Sequence, residues 1–260
     1  MKWESILVEP QDGAVLLVTL NRPEVLNAVD AGMRRDFQRL IPLLQEARAR
    51  AVVFTGAGRA FCAGGDIGRL ERKWDPAEFS AEGRLLSAFF NALEDLPKPV
   101  LAAVNGPAAG AGMLLALACD LRVASSDARM GFGEHWLGLI PSSGGTLRLA
   151  RLLGLSRAKA LYFQEDLASA AELLQLGLVA RVTRPEALLD ETLSWARHLS
   201  SRAPLALAEA KALLNRAPER SRDEAILAEE QAQERMIASQ DHEEGVAAFG
   251  AKRKPVFRGE

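Results

Sequence analysis

The chain twice repeats one local pattern, in which a short apolar run is followed by a glycine-rich turn and then by a helix. The apolar runs at 51–55 and 99–104 have the length and the side chains of buried strands. The turns that follow them, 56–65 and 105–112, are rich in glycine and alanine. Strands that alternate with helices in this way indicate an α/β fold.

The remaining segments are consistent with the same fold class. Residues 5–8 and 14–20 flank a Gln-Asp-Gly turn and predict a β-hairpin. Asp30 is placed to cap a helix, in which Pro42 predicts a kink or an earlier end. Further elements follow in chain order: helices at 77–96 and 113–118, strands at 121–124 and 130–132, a helix from Gly144 through Leu153, and helical segments from 186, 205 and 223. Since no linker precedes the last helices, we expect them to pack on the core or on a neighbouring subunit.

Charge and cysteine content exclude several kinds of protein. The 32 Lys and Arg residues against 34 Asp and Glu residues leave a net charge of −2, so no basic field attracts nucleic acid or an anionic membrane. Cys62 and Cys119 form neither a disulfide framework nor a CxxC pattern, and no apolar run has the length of a signal peptide or a membrane span. We therefore expect a soluble protein of the reducing cytoplasm, without a metal and with no nucleic-acid or membrane partner.

The two glycine-rich turns have a chemical interpretation as well as a structural one. Small residues expose backbone N–H groups to an external oxygen, and an N–H at the start of a helix adds the positive end of the helix dipole. Two such amides that converge on one point form an oxyanion hole. Taken alone, each turn is better explained by tight packing between a strand and a helix.

Other uses of glycine, serine and histidine motifs do not fit this sequence. Leu115 occupies the third glycine position of a GxGxxG motif, and no GK[ST] completes a phosphate loop. Ser142 and Ser143 lack the preceding glycine of a GxSxG elbow. The three histidines, at positions 135, 198 and 242, have no metal-ligand spacing. Metal and serine-nucleophile chemistry are therefore not expected.

The motifs taken together, in their order along the chain, resemble the enoyl-CoA hydratase/isomerase (crotonase) superfamily. The resemblance covers essentially the whole chain and is carried by these segments: Asn-Arg-Pro at 21–23 with Asn-Ala at 27–28, Phe-Cys-Ala-Gly-Gly-Asp-Ile at 61–67, 105–112, Ala-Cys-Asp at 118–120, Gly-Leu-Ile-Pro at 138–141 with Gly-Gly at 144–145, Gly-Leu-Val at 177–179, and the ending 244–257. Separate packing turns do not explain this combination.

The resemblance implies a crotonase-like spiral of β-β-α units with a C-terminal helical trimerisation region. Residues 1–195 would form the spiral core, which binds acyl-CoA and carries catalysis. Residues 196–260 would form the helical region, which serves oligomerisation and part of the CoA site. The implied partners are an acyl-CoA thioester substrate and further copies of the chain, as a homo-trimer or a hexamer built from two trimers. No cofactor is implied, because coenzyme A is part of the substrate.

The same resemblance implies the site residues. Ala63 and Ala111 fall at the two oxyanion-hole amides, and Glu134, seven residues before Pro141, falls at one of the two acid/base positions of the hydratases. Leu114 stands at the other acid/base position. Taken alone, Glu134 would be explained as an exposed, solvated carboxylate. The positions implied for substrate and CoA binding are Arg22, Val25, Leu26, Gly64, Gly65, Asp66, Ile67, Gly110, Leu114, Leu137 and Lys252.

Several neighbouring side chains are expected to be structural. Asp120 and Arg122 are interpreted as a structural pair near a strand end, and His135 is also interpreted as structural. The aromatic residues Trp74, Phe79, Phe89 and Phe90 fit ordinary core better than the lining of an acyl pocket. The basic residues 252–254 are open to two interpretations, contact with CoA phosphates or a solvated tail.

A single carboxylate favours one reaction over the others that the family implies. One glutamate can remove a proton at one carbon and return it at another, whereas hydratases of the family usually employ two glutamates for adding water. With leucine at position 114, we favour Δ3-Δ2-enoyl-CoA isomerisation or a related proton shuttle. Hydration of a 2-enoyl-CoA in fatty-acid or aromatic-acid β-oxidation stays open, and so does a catalytically silent acyl-CoA binder.

Overall fold

The computed structural model describes residues 2–12, 14–46, 48–66, 68, 71 and 73–260. The strands are β1 (Ile6–Gln11), β2 (Val15–Leu20), β3 (Ala51–Gly56), β4 (Val100–Val104), β5 (Ala108–Ala109), β6 (Leu121–Ser125), β7 (Arg129–Gly131), β8 (Ala168–Ser169) and β9 (Arg181–Thr183). The helices are α1 (Ala31–Glu46), α2 (Pro76–Asp95), α3 (Ala111–Ala118), α4 (Gly145–Phe163), α5 (Ala170–Gln175), α6 (Leu188–Ser200), α7 (Pro204–Arg216), α8 (Arg222–Ile237) and α9 (Gln240–Gly250).

Six strands form the main sheet, in the order β1-β2-β3-β4-β6-β9. Strands β1 and β2 pair antiparallel, with Ile6 opposite Leu20, which confirms the predicted hairpin. All later neighbours in this sheet pair parallel. A second, smaller sheet has the order β5-β7-β8. The second glycine-rich turn begins directly after β4 of the main sheet, and it contains β5 of the smaller sheet. This turn therefore lies where the two sheets meet.

An apolar core lies against each face of the main sheet. On one face Phe37 of α1 stacks on Phe89 of α2, with 4.2 Å between ring centroids, and Phe54 of β3 meets Phe89 edge-on. On the other face α6 packs over β3 and β4, and its buried Leu193 and Ala196 belong to the same cluster as Leu101. The predicted boundary between the spiral core and the C-terminal helical region, at residues 195 and 196, falls inside α6. The last part of this helix, with Ala196, packs with the core.

The sequence predicted a kink or an earlier end at Pro42 in α1, and an end at Leu153 in α4. Helix α1 continues through Pro42 to Glu46, because Leu40 and Leu44 are both buried and their packing outweighs the hydrogen bond that proline cannot donate. The first part of α4 ends at Leu153, as predicted, because Gly154 has a non-helical backbone with φ of 71° and ψ of 161°, and a second helical part then continues to Phe163. The short strand expected at 130–132 is found one residue earlier, at Arg129–Gly131.

The C-terminal helices are largely exposed on the single chain. Large apolar side chains are exposed to solvent on them, with Leu214 73% and Phe249 88% exposed, and Val256, which follows α9, is 70% exposed. In the described part of the chain, no helix has the length and apolar character needed to cross a membrane.

Candidate active site

The two glycine-rich turns lie side by side. The amide of Cys62 donates to Pro107 O at 3.1 Å, and the amide of Ala109 donates to Cys62 O at 3.0 Å, so the first turn pairs with the second. A Cβ at Gly112 would lie 2.1 Å from Cys62 O, closer than any side chain can approach. Glycine at 112 is therefore a packing requirement, and its effect is to bring the start of α3 against the first turn.

Ala63 does not supply a free amide. Its N–H donates to Leu26 O at 2.9 Å, and the carbonyl of the same peptide group, Cys62 O, accepts from Ala109. Both ends of the peptide are therefore used in holding the turn together. The prediction of Ala63 as an oxyanion donor was wrong, because the motif shows that amides are exposed in this turn but does not show which of them is already bonded.

Gly65 presents an unpaired amide in the first turn. Its N–H has no acceptor among the described residues, while its neighbours are fixed: Val29 N donates to Gly64 O at 2.8 Å and Asp66 N donates to Val29 O at 3.2 Å. Because C=O and N–H point in opposite directions across a trans peptide, the Gly65 N–H points away from Val29. Gly65 is exposed, and a Cβ there would meet nothing within 4 Å, so an external atom can approach this residue.

The sequence carried only a weak signal for Gly65. The preceding Gly64 has φ of 118°, which explains its lack of a side chain. Gly65 has neither a positive φ nor a packing contact that excludes a Cβ. Neither the backbone conformation nor the packing requires glycine at position 65, which is consistent with a position kept open for a ligand. Only the structure shows this absence of a local requirement for glycine.

Ala111 presents an unpaired amide in the second turn. It is the first residue of α3, and within the described ranges its N–H finds no acceptor. The carbonyl of its peptide, Gly110 O, accepts from Leu114 N at 2.9 Å along the helix, so the Ala111 N–H points out of the helix N-terminus. The positive end of the helix dipole strengthens this amide as a donor to an anion.

Glu134 places its carboxylate beside both turns. A Cβ built on Gly110 would lie 3.4 Å from Glu134 Oε1 and 3.6 Å from the Cα of Gly64. Glu134 begins a 3-10 helix over Glu134–Leu137, and its Oε2 accepts from the amide of Gly133 at 3.0 Å. Burial raises the pKa of the Glu134 carboxyl above its ordinary value of 4.5, although the backbone hydrogen bonds and His135 oppose this.

Leu114 makes the other predicted acid/base position apolar. The side chain is 3% exposed, and its Cδ2 would lie 2.3 Å from a Cβ placed on Gly145. Leucine therefore packs against the first residue of α4, and the glycine there leaves room for it. Glu134 is the one carboxylate at the two positions that the resemblance identified.

Part of the predicted CoA-binding set surrounds the Gly65 turn. The guanidinium of Arg22 donates to Ala28 O at 2.7 Å and lies 3.3 Å from Asp30 and 3.8 Å from Asp66. Leu26 has φ of 53° and holds the amide of Ala63. Two carboxylates already lie next to the Arg22 guanidinium. Arg22 therefore stabilises the structure of the loop as much as it is available to bind a CoA phosphate.

The other predicted binding residues are placed as follows. Val25 is 38% exposed, and Leu137 is 54% exposed at the end of the 3-10 helix. Lys252 lies after α9, with φ of 54°, and its amide donates to Phe249 O. Ile67 lies outside the described residues. The contribution of Leu137 and Lys252 to binding stays a prediction.

Asp120 and Arg122 are both structural, but they are not an ion pair with each other. The Asp120 carboxylate accepts from Lys211 Nζ of α7 at 2.8 Å, and the Arg122 guanidinium donates to backbone carbonyls, including Leu178 O at 2.6 Å. Both contacts fit the structural interpretation, and Arg122 Nη2 also donates to Asp120 O at 3.4 Å, but the charge partner of Asp120 is 91 residues further along the chain. Lys211 and Asp120 line a cavity of about 490 Å³ under α7, which does not include Glu134.

The remaining expectations for side chains have mixed outcomes. Phe89 and Phe90 are fully buried, which confirms their assignment to the core, and Trp74 meets Phe79 edge-on at 5.5 Å. Arg253 forms two hydrogen bonds with Glu244, so this part of the basic ending is not merely solvated. The ring of His135 packs against Tyr162, and among the described atoms its buried Nδ1 has no partner. No group of three or more potential metal ligands occurs in the described residues.

Unpaired amides in two adjoining turns, with the Glu134 carboxylate beside the turns, form a candidate site that could stabilise an oxyanion and move a proton. The family model for Enoyl-CoA hydratase/isomerase matches residues 10–260. The chain is 37% identical to the short-chain-enoyl-CoA hydratase of Clostridium acetobutylicum, over 98% of this chain and 97% of that one. It is also 37% identical to the 1,2-epoxyphenylacetyl-CoA isomerase of Escherichia coli, over 98% and 99% of the two chains.

Solved structures agree with these sequence relatives. The crystal structure of an enoyl-CoA hydratase from Bacillus anthracis superposes with a TM-score of 0.94 at 34% identity, over 99% of this chain and 100% of that one. This chain belongs to the enoyl-CoA hydratase/isomerase family and has the crotonase fold, as its motifs predicted.

Proposed function

We propose that this protein isomerises 3-enoyl-CoA thioesters to 2-enoyl-CoA thioesters, with Glu134 as the only proton carrier. The observation that carries the proposal is the contrast between Glu134, whose carboxylate lies beside both amide turns, and Leu114, which is buried and apolar. Family membership supports an acyl-CoA thioester as the substrate. The proposal revises the predicted oxyanion donors from Ala63 and Ala111 to Gly65 and Ala111.

The amides act on the thioester carbonyl. With the carbonyl oxygen between the N–H groups of Gly65 and Ala111, the two hydrogen bonds strengthen as that oxygen gains negative charge. The site therefore binds the enolate more tightly than the ground-state thioester, and this difference lowers the barrier to losing a proton from carbon 2.

Glu134 carries the proton between two carbons. As a carboxylate it takes the proton from carbon 2 of the 3-enoyl chain, and the electron pair passes into the conjugated enolate. The protonated Glu134 then returns the proton to carbon 4, which moves the double bond to carbon 2 and restores the carboxylate. The raised pKa of Glu134 makes it a stronger base than an ordinary glutamate, which suits the removal of a carbon-bound proton.

Hydration of a 2-enoyl-CoA is the second candidate, because relatives at similar identity bear hydratase names. One is the Clostridium short-chain-enoyl-CoA hydratase, and another, 36% identical over 99% of both chains, is the crotonyl-CoA hydratase of Syntrophomonas wolfei. Adding water requires a group that holds and deprotonates the water as well as a group that protonates carbon 2. Leu114 can do neither, and this weighs against hydration as the main activity.

The experiment that tests the proposal compares both reactions on one preparation. Isomerisation of 3-hexenoyl-CoA should be faster than hydration of crotonyl-CoA. Hydration alone would favour the second candidate. Tight binding of acyl-CoA without either reaction would favour a silent binder.

We also propose that the protein assembles through its C-terminal helices into a trimer or a pair of trimers. The exposed Leu214, Ile237, Val246 and Phe249 on α7, α8 and α9 support this, since a monomer rarely leaves so many large apolar side chains in water.

A further inference from the structure

A buried arginine outside the two turns connects to the backbone of the first turn. Arg34 of α1 is 6% exposed, and its Nη2 donates to Val29 O at 3.3 Å. Val29 is the residue that fixes both sides of Gly65: its N–H holds Gly64 O, and its carbonyl accepts Asp66 N. The Arg34 guanidinium is thus linked by hydrogen bonds through Val29 to the two residues that flank Gly65.

The other side of the Arg34 guanidinium is tied to α2. Its Nη1 forms a short ion pair with Glu82, whose side chain is 32% exposed. Burying a cation costs free energy unless it is paired and hydrogen-bonded, and Glu82 and Val29 O supply that compensation from two different elements. The position of α2 is thereby coupled to the position of Val29.

The same turn of α2 also contacts the far side of the site. Gly83 O, next to Glu82, accepts from Ser143 Oγ at 3.2 Å, and Ser143 lies in the loop that follows the 3-10 helix of Glu134. One turn of α2 therefore joins the segment that carries an amide donor to the segment that follows the carboxylate. Because the distance between these groups decides how well they act on one substrate, this connection bears on catalysis.

We propose that the Arg34–Glu82 ion pair is a positioning element that holds the Gly65 amide where it best donates to an enolate oxygen. Arg34 touches neither the substrate nor Glu134 in this role. Its loss leaves the amide chemically intact and lets the Val29–Gly65 bridge shift. The effect falls on the enolate more than on the ground-state thioester, because only the enolate depends strongly on the geometry of the two N–H groups.

The role rests on the proposed function, so the test measures binding of two ligands rather than turnover. Acetoacetyl-CoA reports the enolate through its near-ultraviolet absorbance, and butyryl-CoA reports binding of an ordinary thioester. Arg34→Met should weaken binding of the acetoacetyl-CoA enolate about tenfold, with the Kd for butyryl-CoA within about twofold of wild type. The matched control is Arg35→Met, which breaks an exposed ion pair with Glu4 on the same helix and should change neither Kd.

Two outcomes with Arg34→Met would overturn the proposal. One is an Arg34→Met protein that melts at a lower temperature yet binds the enolate like wild type. The other is an equal loss for both ligands, which would mean a general structural role. If Arg34→Met does not fold, Glu82→Gln keeps the arginine and should still weaken enolate binding selectively, and wild-type binding by that variant would overturn the proposal as well. A wild-type protein that binds acetoacetyl-CoA without forming its enolate would instead contradict the proposed function, and the positioning role with it.

Discussion

The amide of Val29 donates to the carbonyl oxygen of Gly64 at 2.8 Å, and this bond turns the N–H of the next residue, Gly65, away from Val29. A backbone bridge on one side of the turn therefore creates a free donor on the other side. The donor of the first turn follows from this relationship rather than from the side chains of the motif.

Replacing Gly65 by proline should remove that donor. We expect turnover to fall by roughly 10²-fold or more for Gly65→Pro, the scale observed on losing one oxyanion-hole donor. The matched control is Gly65→Ala, which keeps the N–H and places a methyl group where nothing lies within 4 Å. The assignment of Gly65 would fail if a Gly65→Pro protein that circular dichroism shows to be folded kept the activity of Gly65→Ala and of wild type.

Much of the site could be predicted from the sequence, and the failures share one physical cause. Glu134 and Ala111 were identified by their motifs, and in the structure the Glu134 carboxylate lies beside Gly110 while Ala111 lies in the second turn itself; their catalytic roles stay predictions. Ala63 was misassigned because its amide bonds to Leu26, 37 residues earlier in the sequence, and no local pattern reports that bond. The pairing of Asp120 with Lys211 and the link from Arg34 to Glu82 were missed for the same reason.

Glu134→Gln tests the proton carrier. The amide side chain keeps the size and polarity of the glutamate but cannot act as a base, so turnover should fall by about 10² to 10⁴. Acyl-CoA binding should persist, since the two backbone amides remain. A Gln substitution at Glu230, an exposed residue of α8, is the control and should leave turnover unchanged. Full activity in Glu134→Gln would remove Glu134 from the mechanism.

The raised pKa of Glu134 has two consequences for pH dependence. Its carboxylate is the active form, so kcat should rise with pH through a pKa above the ordinary 4.5.

A carboxyl whose pKa is raised on folding stabilises the folded state below its unfolded pKa, and this contribution is lost as pH rises through the folded pKa. Compared with Glu134→Gln, wild type should therefore lose stability over that interval in chemical denaturation, and an unchanged difference would contradict the raised pKa.

Leu114→Glu tests whether the apolar position selects the reaction. A carboxylate there would supply a second acid/base group, so the ratio of hydration to isomerisation should rise. Burying the charge should cost stability unless water enters with it, and the melting temperature should fall. Leu114→Gln is the control, because it adds polarity without a base and should not raise hydration. An unchanged ratio in Leu114→Glu would show that position 114 does not select the reaction.

Assembly can be tested at the exposed C-terminal helices. Sedimentation of the wild-type protein should show at least a trimer at micromolar concentration. Phe249→Glu places a charge at a side chain that is 88% exposed in the single chain, so it should disrupt assembly without unfolding the subunit. The proposed interface would be contradicted by a monomeric wild type or by a variant that still assembles fully.

The ratio of two rates in the wild-type enzyme tests the central claim most directly. Purified protein should be assayed with 3-hexenoyl-CoA for formation of the 2-enoyl product and with crotonyl-CoA for hydration, at the same enzyme concentration and pH. One carboxylate beside two amides predicts that kcat/KM for isomerisation exceeds kcat/KM for hydration. Rapid hydration of crotonyl-CoA with negligible isomerisation of 3-hexenoyl-CoA would contradict it.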